Sequence, residues 1–276
     1  MTWTFTRDLG AYLSAAGPAV AARPVVHTML LTVADALERR GPHAFGAEDP
    51  FFGWWTGTDG VVSGALLCTP PHPVLLGAVP AEAVAALAGG ALPGPVGGFN
   101  ARRADAAVLA AGWGRPSRVE EELRLYRLEG LAPPDPAPAG RSRPAGEADL
   151  ALALDWFAAF AAELGEPGPP PEAAVRDRIS YGGLLVWEDG GGPVSMAGFS
   201  RPLAGTSRIF PVYTPPELRG RGYAAGATAA ASRAARAAGA AEVLLFTDLA
   251  NPTSNGIYLR LGYRPVEDRV VLTPAG

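Results

Sequence analysis

Apolar residues recur at helical spacing in the second half of the chain. In 149–164 they lie three or four positions apart, and they are Leu150, Leu154, Phe157, Ala161 and Leu164. This spacing predicts an amphipathic helix, and we expect a second helix to follow it as far as Ser180. The Ala-rich stretch 222–238 predicts a long helix that Gly239 ends, because alanine favours helix and glycine favours its C-terminus.

Short apolar runs predict the strands of this half. They span 184–187, 194–199, 208–213 and 242–246. The turn sequence D-G-G-G-P joins the first two runs and predicts a hairpin. Proline has no N–H to donate to a sheet, so Pro211 in the third run predicts a bulge or an edge there.

The first half repeats this rhythm more faintly. Runs at 51–55, 61–67 and 74–79 predict strands, and 80–88 predicts a helix. We expect Asn100 to open a helical run that ends at Gly112, as Asn251 opens one that ends at Gly262. This parallel predicts an internal duplication, although chance similarity in so Ala-rich a chain is the alternative.

The Pro-rich segment 131–146 separates the two halves. Its sequence, L-A-P-P-D-P-A-P-A-G-R-S-R-P-A-G, has no periodicity and is typical of a stiff, solvated linker. We therefore expect a domain at 1–130, a linker at 131–146 and a second domain at 147–276.

Composition agrees with two globular domains in a reducing compartment. The chain has 276 residues, of which 48% are hydrophobic, and a net charge of −4. No cluster of arginines interleaved with aromatic residues is present, which argues against nucleic acid or an anionic membrane as a partner. The single cysteine, Cys68, excludes an internal disulfide, and His27, His43 and His72 are too scattered for a metal site. With no signal peptide and no apolar run of about 18 residues, a cytoplasmic location is expected.

Two sequence motifs carry the candidate chemistry. In Arg219-Gly220-Arg221-Gly222-Tyr223-Ala224, between a predicted strand and helix, free backbone N–H groups can hold a pyrophosphate. Similar Arg/Gly spacings at 143–148 and 236–241 lack that context. In 251–263, Asn251 can cap a helix that Pro252 begins, which places Ser254 and Tyr258 on one face.

The two motifs together resemble the GNAT superfamily of N-acetyltransferases, over roughly 150–273. The resemblance implies an α/β (α+β) fold with a mixed sheet. Two GNAT-like domains would follow in tandem, each a central twisted, mostly antiparallel sheet flanked by helices. It also implies acetyl-CoA as co-substrate and no metal. Strand 208–213 would diverge from its neighbour at Pro211, and the pantetheine arm would enter between them.

The resemblance also assigns roles to residues. Backbone groups of Val212, Tyr213 and Thr214 would bind the acetyl-pantetheine arm, and the loop would hold the pyrophosphate through Arg219, Gly220, Arg221, Gly222, Tyr223 and Ala224. Asn251 and Ser254 would contact the cofactor, and Tyr258 would protonate the departing thiolate. Asp248, Glu217 and Glu188 are the candidate bases, with Asp248 preferred; each has the alternative of a solvated or capping acid, and a water chain can replace the base.

The first half departs from the family pattern. No Arg/Gly loop precedes its helix at 80, and Val108 stands where Tyr258 would be, so we expect a degenerate domain. The aromatic residues Phe51, Phe52, Trp54 and Trp55 are expected to pack in the core or between domains, or to line part of an acceptor pocket. Cys68 is expected to be a small buried residue and not a nucleophile.

The sequence thus favours an N-acetyltransferase in which an amine of a small molecule attacks acetyl-CoA directly in a ternary complex. A non-catalytic acyl-CoA sensor is the alternative. An aminoacyl transferase would need a basic surface for tRNA, which the charge balance opposes. Monomer and homodimer both stay open.

Overall fold

The computed structural model of the chain describes residues 1–165, 168 and 170–275. The remaining residues of the predicted domain 147–276 lie outside the described ones. The helices are α1 (Leu9–Ala21), α2 (Thr28–Arg40), α3 (Ala81–Ala88), α4 (Ala106–Gly112), α5 (Leu150–Glu163), α6 (Glu172–Ser180), α7 (Tyr223–Ala237) and α8 (Pro252–Arg260). The strands are β1 (Thr2–Thr6), β2 (Phe51–Thr56), β3 (Val62–Cys68), β4 (Val74–Leu76), β5 (Phe99–Arg102), β6 (Ser117–Leu128), β7 (Arg141–Pro144), β8 (Leu184–Asp189), β9 (Gly192–Phe199), β10 (Thr206–Tyr213), β11 (Glu242–Asp248) and β12 (Tyr263–Pro274).

The same order of elements occurs twice along the described residues. A strand is followed by two helices, three strands, a helix, a strand, a helix and a last strand, from β1 to β6 and again from β7 to β12. This order agrees with the internal repeat that the sequence predicts.

The chain forms two compact units that do not coincide with the two repeats. The first unit is 1–125 with 247–251 and 265–276, and the second is 126–246 with 252–264. The C-terminal part of the chain therefore belongs to the first unit, whereas the sequence assigned it to a domain at 147–276.

The sheet of the first unit has the strand order β1-β2-β3-β4-β5-β12. Neighbours are antiparallel except β4 and β5, which are parallel. Helices α1 and α2 pack Tyr12, Val20 and Leu37 against the sheet around Phe52. No pattern in the sequence predicts β1, α1 or α2.

The sheet of the second unit has the order β11-β10-β9-β8-β7, with β10 and β11 parallel and the other pairs antiparallel. Its core packs α7 on one side, where the buried alanines let the helix approach the strands closely. Around Phe157, Val175 and Met196, α5 and α6 form a second cluster. The mixed, mostly antiparallel α/β fold expected from the sequence is confirmed.

Part of the predicted linker 131–146 is ordered, which corrects the expectation of a solvated segment. Arg141–Pro144 forms β7, which pairs with β8. The Trp187 indole donates a hydrogen bond to the Ala139 carbonyl at 2.8 Å. A Cβ added at Gly226 of α7 would lie 2.8 Å from Pro138, so this proline packs directly on the helix.

The expectation that Asn100 opens a helix is also wrong. Asn100 lies in β5, opposite Val271 of β12, and α4 begins only at Ala106. Its amide oxygen accepts a hydrogen bond from Arg269 Nε at 2.8 Å. Pairing with a strand far along the chain thus decides the conformation of this segment.

The described part of the chain contains neither a membrane-crossing helix nor a cluster of metal-binding side chains. None of its helices combines the length and the apolar character that crossing a bilayer requires. Nor do its His, Cys, Asp and Glu side chains form any group of three or more that could hold a metal ion.

Candidate active site

The strands β10 and β11 separate partway along their length. They pair in parallel only from Thr206–Glu242 to Arg208–Leu244. Beyond that point β10 continues to Tyr213 and stays paired with β9 alone. Main-chain groups on the other side of β10 are therefore available to an extended ligand, which can bind as an added strand does.

A bulge marks the point of separation. The register of β10 against β9 shifts between Ile209 and Val212, where Pro211 lies. The missing N–H of the proline explains the break in the ladder. Of the bulge or edge predicted at Pro211, the structure shows the bulge. Arg178 of α6 donates a hydrogen bond to the Phe210 carbonyl at this bulge.

The residues after the bulge are held by a small polar network. Ser195 Oγ of β9 donates to the Tyr213 carbonyl and contacts Thr214 Oγ1, both at 2.9 Å. All three residues are buried. The network fixes the backbone at the residues expected to contact the pantetheine arm, which are Val212, Tyr213 and Thr214. The Tyr213 carbonyl oxygen keeps a second lone pair that can accept another hydrogen bond.

The glycine loop leads into the N-terminus of α7. Gly220, Arg221 and Gly222 are exposed. Gly222 is the N-cap residue, with φ 82°, and no side chain caps this end of the helix. The N–H groups of the first turn have no intrahelical acceptors, so the loop presents donors at the positive end of the helix dipole. This arrangement suits an anionic ligand such as a pyrophosphate.

The Arg219 side chain is engaged within the protein. Its Nε donates to the Thr214 carbonyl at 2.9 Å, and its Nη2 lies 2.8 Å from Glu163 Oε2 of α5. The guanidinium thus ties the loop to the strand end and to α5. The loop would therefore bind a phosphate through its backbone N–H groups, and Arg219 would hold the loop in position.

The Tyr223 side chain is buried at the start of α7. Its hydroxyl donates to Asp189 in the β8–β9 turn. This hydrogen bond to the carboxylate, together with burial, raises the pKa of Tyr223. The Tyr223 ring anchors the helix N-terminus to the hairpin. The groups of Tyr223 and Ala224 that stay available to a ligand are therefore their backbone amides.

Helix α8 places Ser254 and Tyr258 one turn apart on one face. Tyr258 is 8% exposed and packs against the rings of Tyr126 and Tyr263. Burial raises the pKa of Tyr258 to about 12, so the phenol is protonated at neutral pH. Gly262, with φ 94°, follows the helix as the sequence predicts.

Asp248 and Asn251 belong to the first unit. Asp248 Oδ1 accepts a hydrogen bond from the Ala250 N–H at 2.8 Å, and the Asn251 N–H donates to the Asp248 carbonyl at 3.1 Å. One carboxylate oxygen of Asp248 thus caps a tight turn. Its role as the base and the role of Asn251 stay predictions.

The other candidate bases differ in their surroundings. Glu188 accepts a hydrogen bond from Arg143 Nε at 2.7 Å, which makes it part of the β7–β8 pair and a structural ion pair. Glu217 is exposed in the short turn before the glycine loop. Sequence reasoning missed Glu163, because its contact with Arg219 joins residues far apart in the chain.

The corresponding strand end in the first unit is closed by the protein itself. After β4, the Leu76 carbonyl accepts from Arg269 Nη2 and the Val79 carbonyl from Arg102 Nη2, both at 2.7 Å. The Ala78 N–H donates to His27 Nε2 at 3.1 Å. These side chains occupy main-chain groups that a pantetheine arm would need, which agrees with the expected degeneracy.

Phe52, Trp55 and Cys68, which the sequence singles out in this half, are buried. Phe52 stacks on Tyr12, and Trp55 packs against Trp3 in the core of the unit. Burial raises the pKa of the Cys68 thiol to about 11, so it is not a nucleophile at neutral pH. Val108 is 45% exposed.

Comparison with known proteins agrees with this geometry. Residues 152–263 match the model of the Acetyltransferase (GNAT) family. A search of curated proteins gives no match. Among solved structures, an acetyltransferase of the GNAT family from Colwellia psychrerythraea is 14% identical over 100% of both chains, with a TM-score of 0.61.

Two further structures have the same fold. A GCN5-related N-acetyltransferase from Sphaerobacter thermophilus is 16% identical over 98% of this chain and 94% of its own, with a TM-score of 0.59. A Drosophila protein is 12% identical over 99% of this chain and 98% of its own, with a TM-score of 0.68. Residues 152–263 thus resemble the GNAT acetyltransferase family, and the solved structures share the fold of the chain over almost its whole length.

Proposed function

We propose that this protein is an acetyl-CoA-dependent N-acetyltransferase with two GNAT-like domains in tandem, and that it acts on an amine of a small molecule. The observation that supports this most is the separation of β10 from β11 beside an exposed, uncapped helix N-terminus. The separated strand can bind a thioester arm, and the glycine loop can bind the diphosphate at the end of that arm.

The reaction we propose needs no covalent enzyme intermediate. The lone pair of a neutral amine attacks the thioester carbonyl, the C–N bond forms, and the C–S bond breaks to release the thiolate. The nitrogen loses a proton to water or to a carboxylate, and the thiolate takes up a proton from water. Asp248 remains the preferred carboxylate for the first transfer.

Tyr258 has a specific part in this scheme. A free thiol has a pKa of about 8.5, so complete transfer from a phenol of pKa about 12 is uphill by about 5 kcal/mol. We therefore propose that the Tyr258 hydroxyl donates a strong hydrogen bond to the departing thiolate. This hydrogen bond stabilises the thiolate until water protonates it. Replacing Tyr258 with phenylalanine should lower kcat by about 10²-fold or more and leave acetyl-CoA binding nearly unchanged.

Two measurements test the proposal. Isothermal titration calorimetry measures binding of acetyl-CoA and CoA, and release of free thiol in the presence of an amine panel measures turnover. Heat on binding together with amine-dependent thiol release supports the enzyme. Binding without release, unchanged in Tyr258→Phe, supports the acyl-CoA sensor. No heat from either ligand with folded protein refutes both functions.

A further inference from the structure

Strand β10 of the second unit contains an arginine, Arg208, for which the described residues provide no counterion. Arg208 is the last residue of β10 that pairs with β11, so it lies where the two strands separate. Its backbone is bonded to Ser200. Within the described residues, however, its guanidinium has no hydrogen-bond or ion-pair partner.

The side chain of Arg208 lies on the sheet face that α5 and α6 cover. Successive side chains of a strand alternate between faces, so Arg208 shares a face with Phe210. The Phe210 ring contacts Phe160 of α5 at 5.4 Å between centroids, whereas Ile209 faces the core on the α7 side.

The charge that acts on Arg208 from the neighbouring helix α6 is positive. Arg178 reaches the bulge, where Gly198 leaves it room, since a Cβ there would lie 2.7 Å from Arg178 Nη1. Burial and the neighbouring charge of Arg178 lower the pKa of Arg208 to about 10, so it stays charged at neutral pH. Asp177, the residue before Arg178 in α6, is paired with Arg201 at 2.7 Å. Arg208 is partly buried, and a partly desolvated charge without a counterion is costly, so an anion from outside is the expected partner.

We propose that Arg208 binds the carboxylate of the acceptor, and that the acceptor is an amino acid or a similar amino-carboxylic acid with an apolar side chain. The proposal rests on the acetyltransferase function above. The carboxylate would pair with Arg208 where the strands separate, near the thioester arm. The aromatic residues Phe160 and Phe210, the latter 38% exposed, offer an apolar surface beside it.

Matched pairs of amines test this inference. Phenylalanine is compared with 2-phenylethylamine, and leucine with 3-methylbutylamine, because the members of each pair differ only in the carboxylate. Thiol release gives kcat/KM for each. We expect the carboxylate member to be preferred by about 10-fold or more, as for a hydrogen bond to a charged group. Arg208→Met should lower that preference about 10-fold, and Arg208→Lys should retain part of it.

Two controls separate recognition from folding. Arg233→Met, at an exposed position of α7, should keep the preference of the wild type. Removing a partly buried charge that has no counterion does not destabilise a fold, so Arg208→Met should have a Tm equal to or above that of the wild type. A variant that lowers kcat/KM equally for both members of a pair has only a structural effect, and that result would overturn the inference.

The outcomes also separate this inference from the function on which it rests. If amines are acetylated with no preference for the carboxylate member, or if the preference survives Arg208→Met, the inference is wrong and the enzyme stands. If acetyl-CoA binds but no amine releases thiol, the enzymatic function is wrong and the inference fails with it.

Discussion

The two glycines that flank α7 allow the phosphate-binding role of the loop to be tested against a matched control. Gly220 precedes the helix with φ 79°, and Gly239 follows it with φ 98°. A Cβ added at either position would meet no atom within 4 Å. Alanine at each position therefore introduces the same kind of backbone strain, but only Gly220 lies in the proposed site.

The expected magnitudes separate the two substitutions. An L-residue in the left-handed region lowers the free energy of unfolding by roughly 1–2 kcal/mol. Each kcal/mol lowers the Tm by about 2–4 °C in a protein of this size. At Gly220 the new methyl group also stands beside amides that would hold the diphosphate. Loss of one charge-assisted hydrogen bond, worth about 1.5–3 kcal/mol, should raise the Kd for CoA by about 10- to 100-fold.

Calorimetric titration with CoA and thermal unfolding followed by circular dichroism measure both effects. Gly239→Ala should lose stability and bind CoA like the wild type, whereas Gly220→Ala should lose stability and affinity. If Gly220→Ala binds CoA as tightly as Gly239→Ala does, the backbone of this loop does not hold the diphosphate, and the reasoning from the uncapped helix is refuted.

Three further substitutions test contacts described above. Burial lowers the pKa of His27, so stability to urea should be full above pH 6.5 and fall as the pH drops below it, a dependence that His27→Gln should remove. Ser232→Ala deprives the buried Tyr263 hydroxyl of its partner at 2.7 Å; it should cost about 1–3 kcal/mol in urea unfolding, and adding Tyr263→Phe should recover part of that. Glu163→Gln breaks an ion pair whose side chains are 47% and 43% exposed, worth at most about 1 kcal/mol, so the Kd for CoA should change less than about 5-fold; a larger change would mean that the pair with Arg219 sets the shape of the loop.

Local signals in the sequence were sufficient for most elements of the second half. The helix at 222–238 and the strand at 242–246 were predicted within a few residues, because a run of alanines and a buried apolar run each favour one structure. Pro211 predicted the bulge for the same local reason. The glycine loop was found because its residues are adjacent in the chain.

Elements set by distant contacts were missed or misread. Helix α1 contains Pro18 and low-propensity glycines, and it forms because Tyr12 and Val20 are buried against the sheet. Strand β7 has no apolar alternation, and it exists through its pairing with β8. The isolation of Arg208 could not be predicted, since it depends on which side chains the fold brings near it.

The division of the chain has a consequence for its synthesis. The first unit includes 265–276, and Val270 and Leu272 of β12 lie in its core. A ribosome makes the N-terminal residues first, yet β5 of this unit lacks its partner strand until β12 has emerged. Nascent chains arrested before Pro265 should therefore expose the edge of β5, and the part of the protein that is translated first should finish folding last.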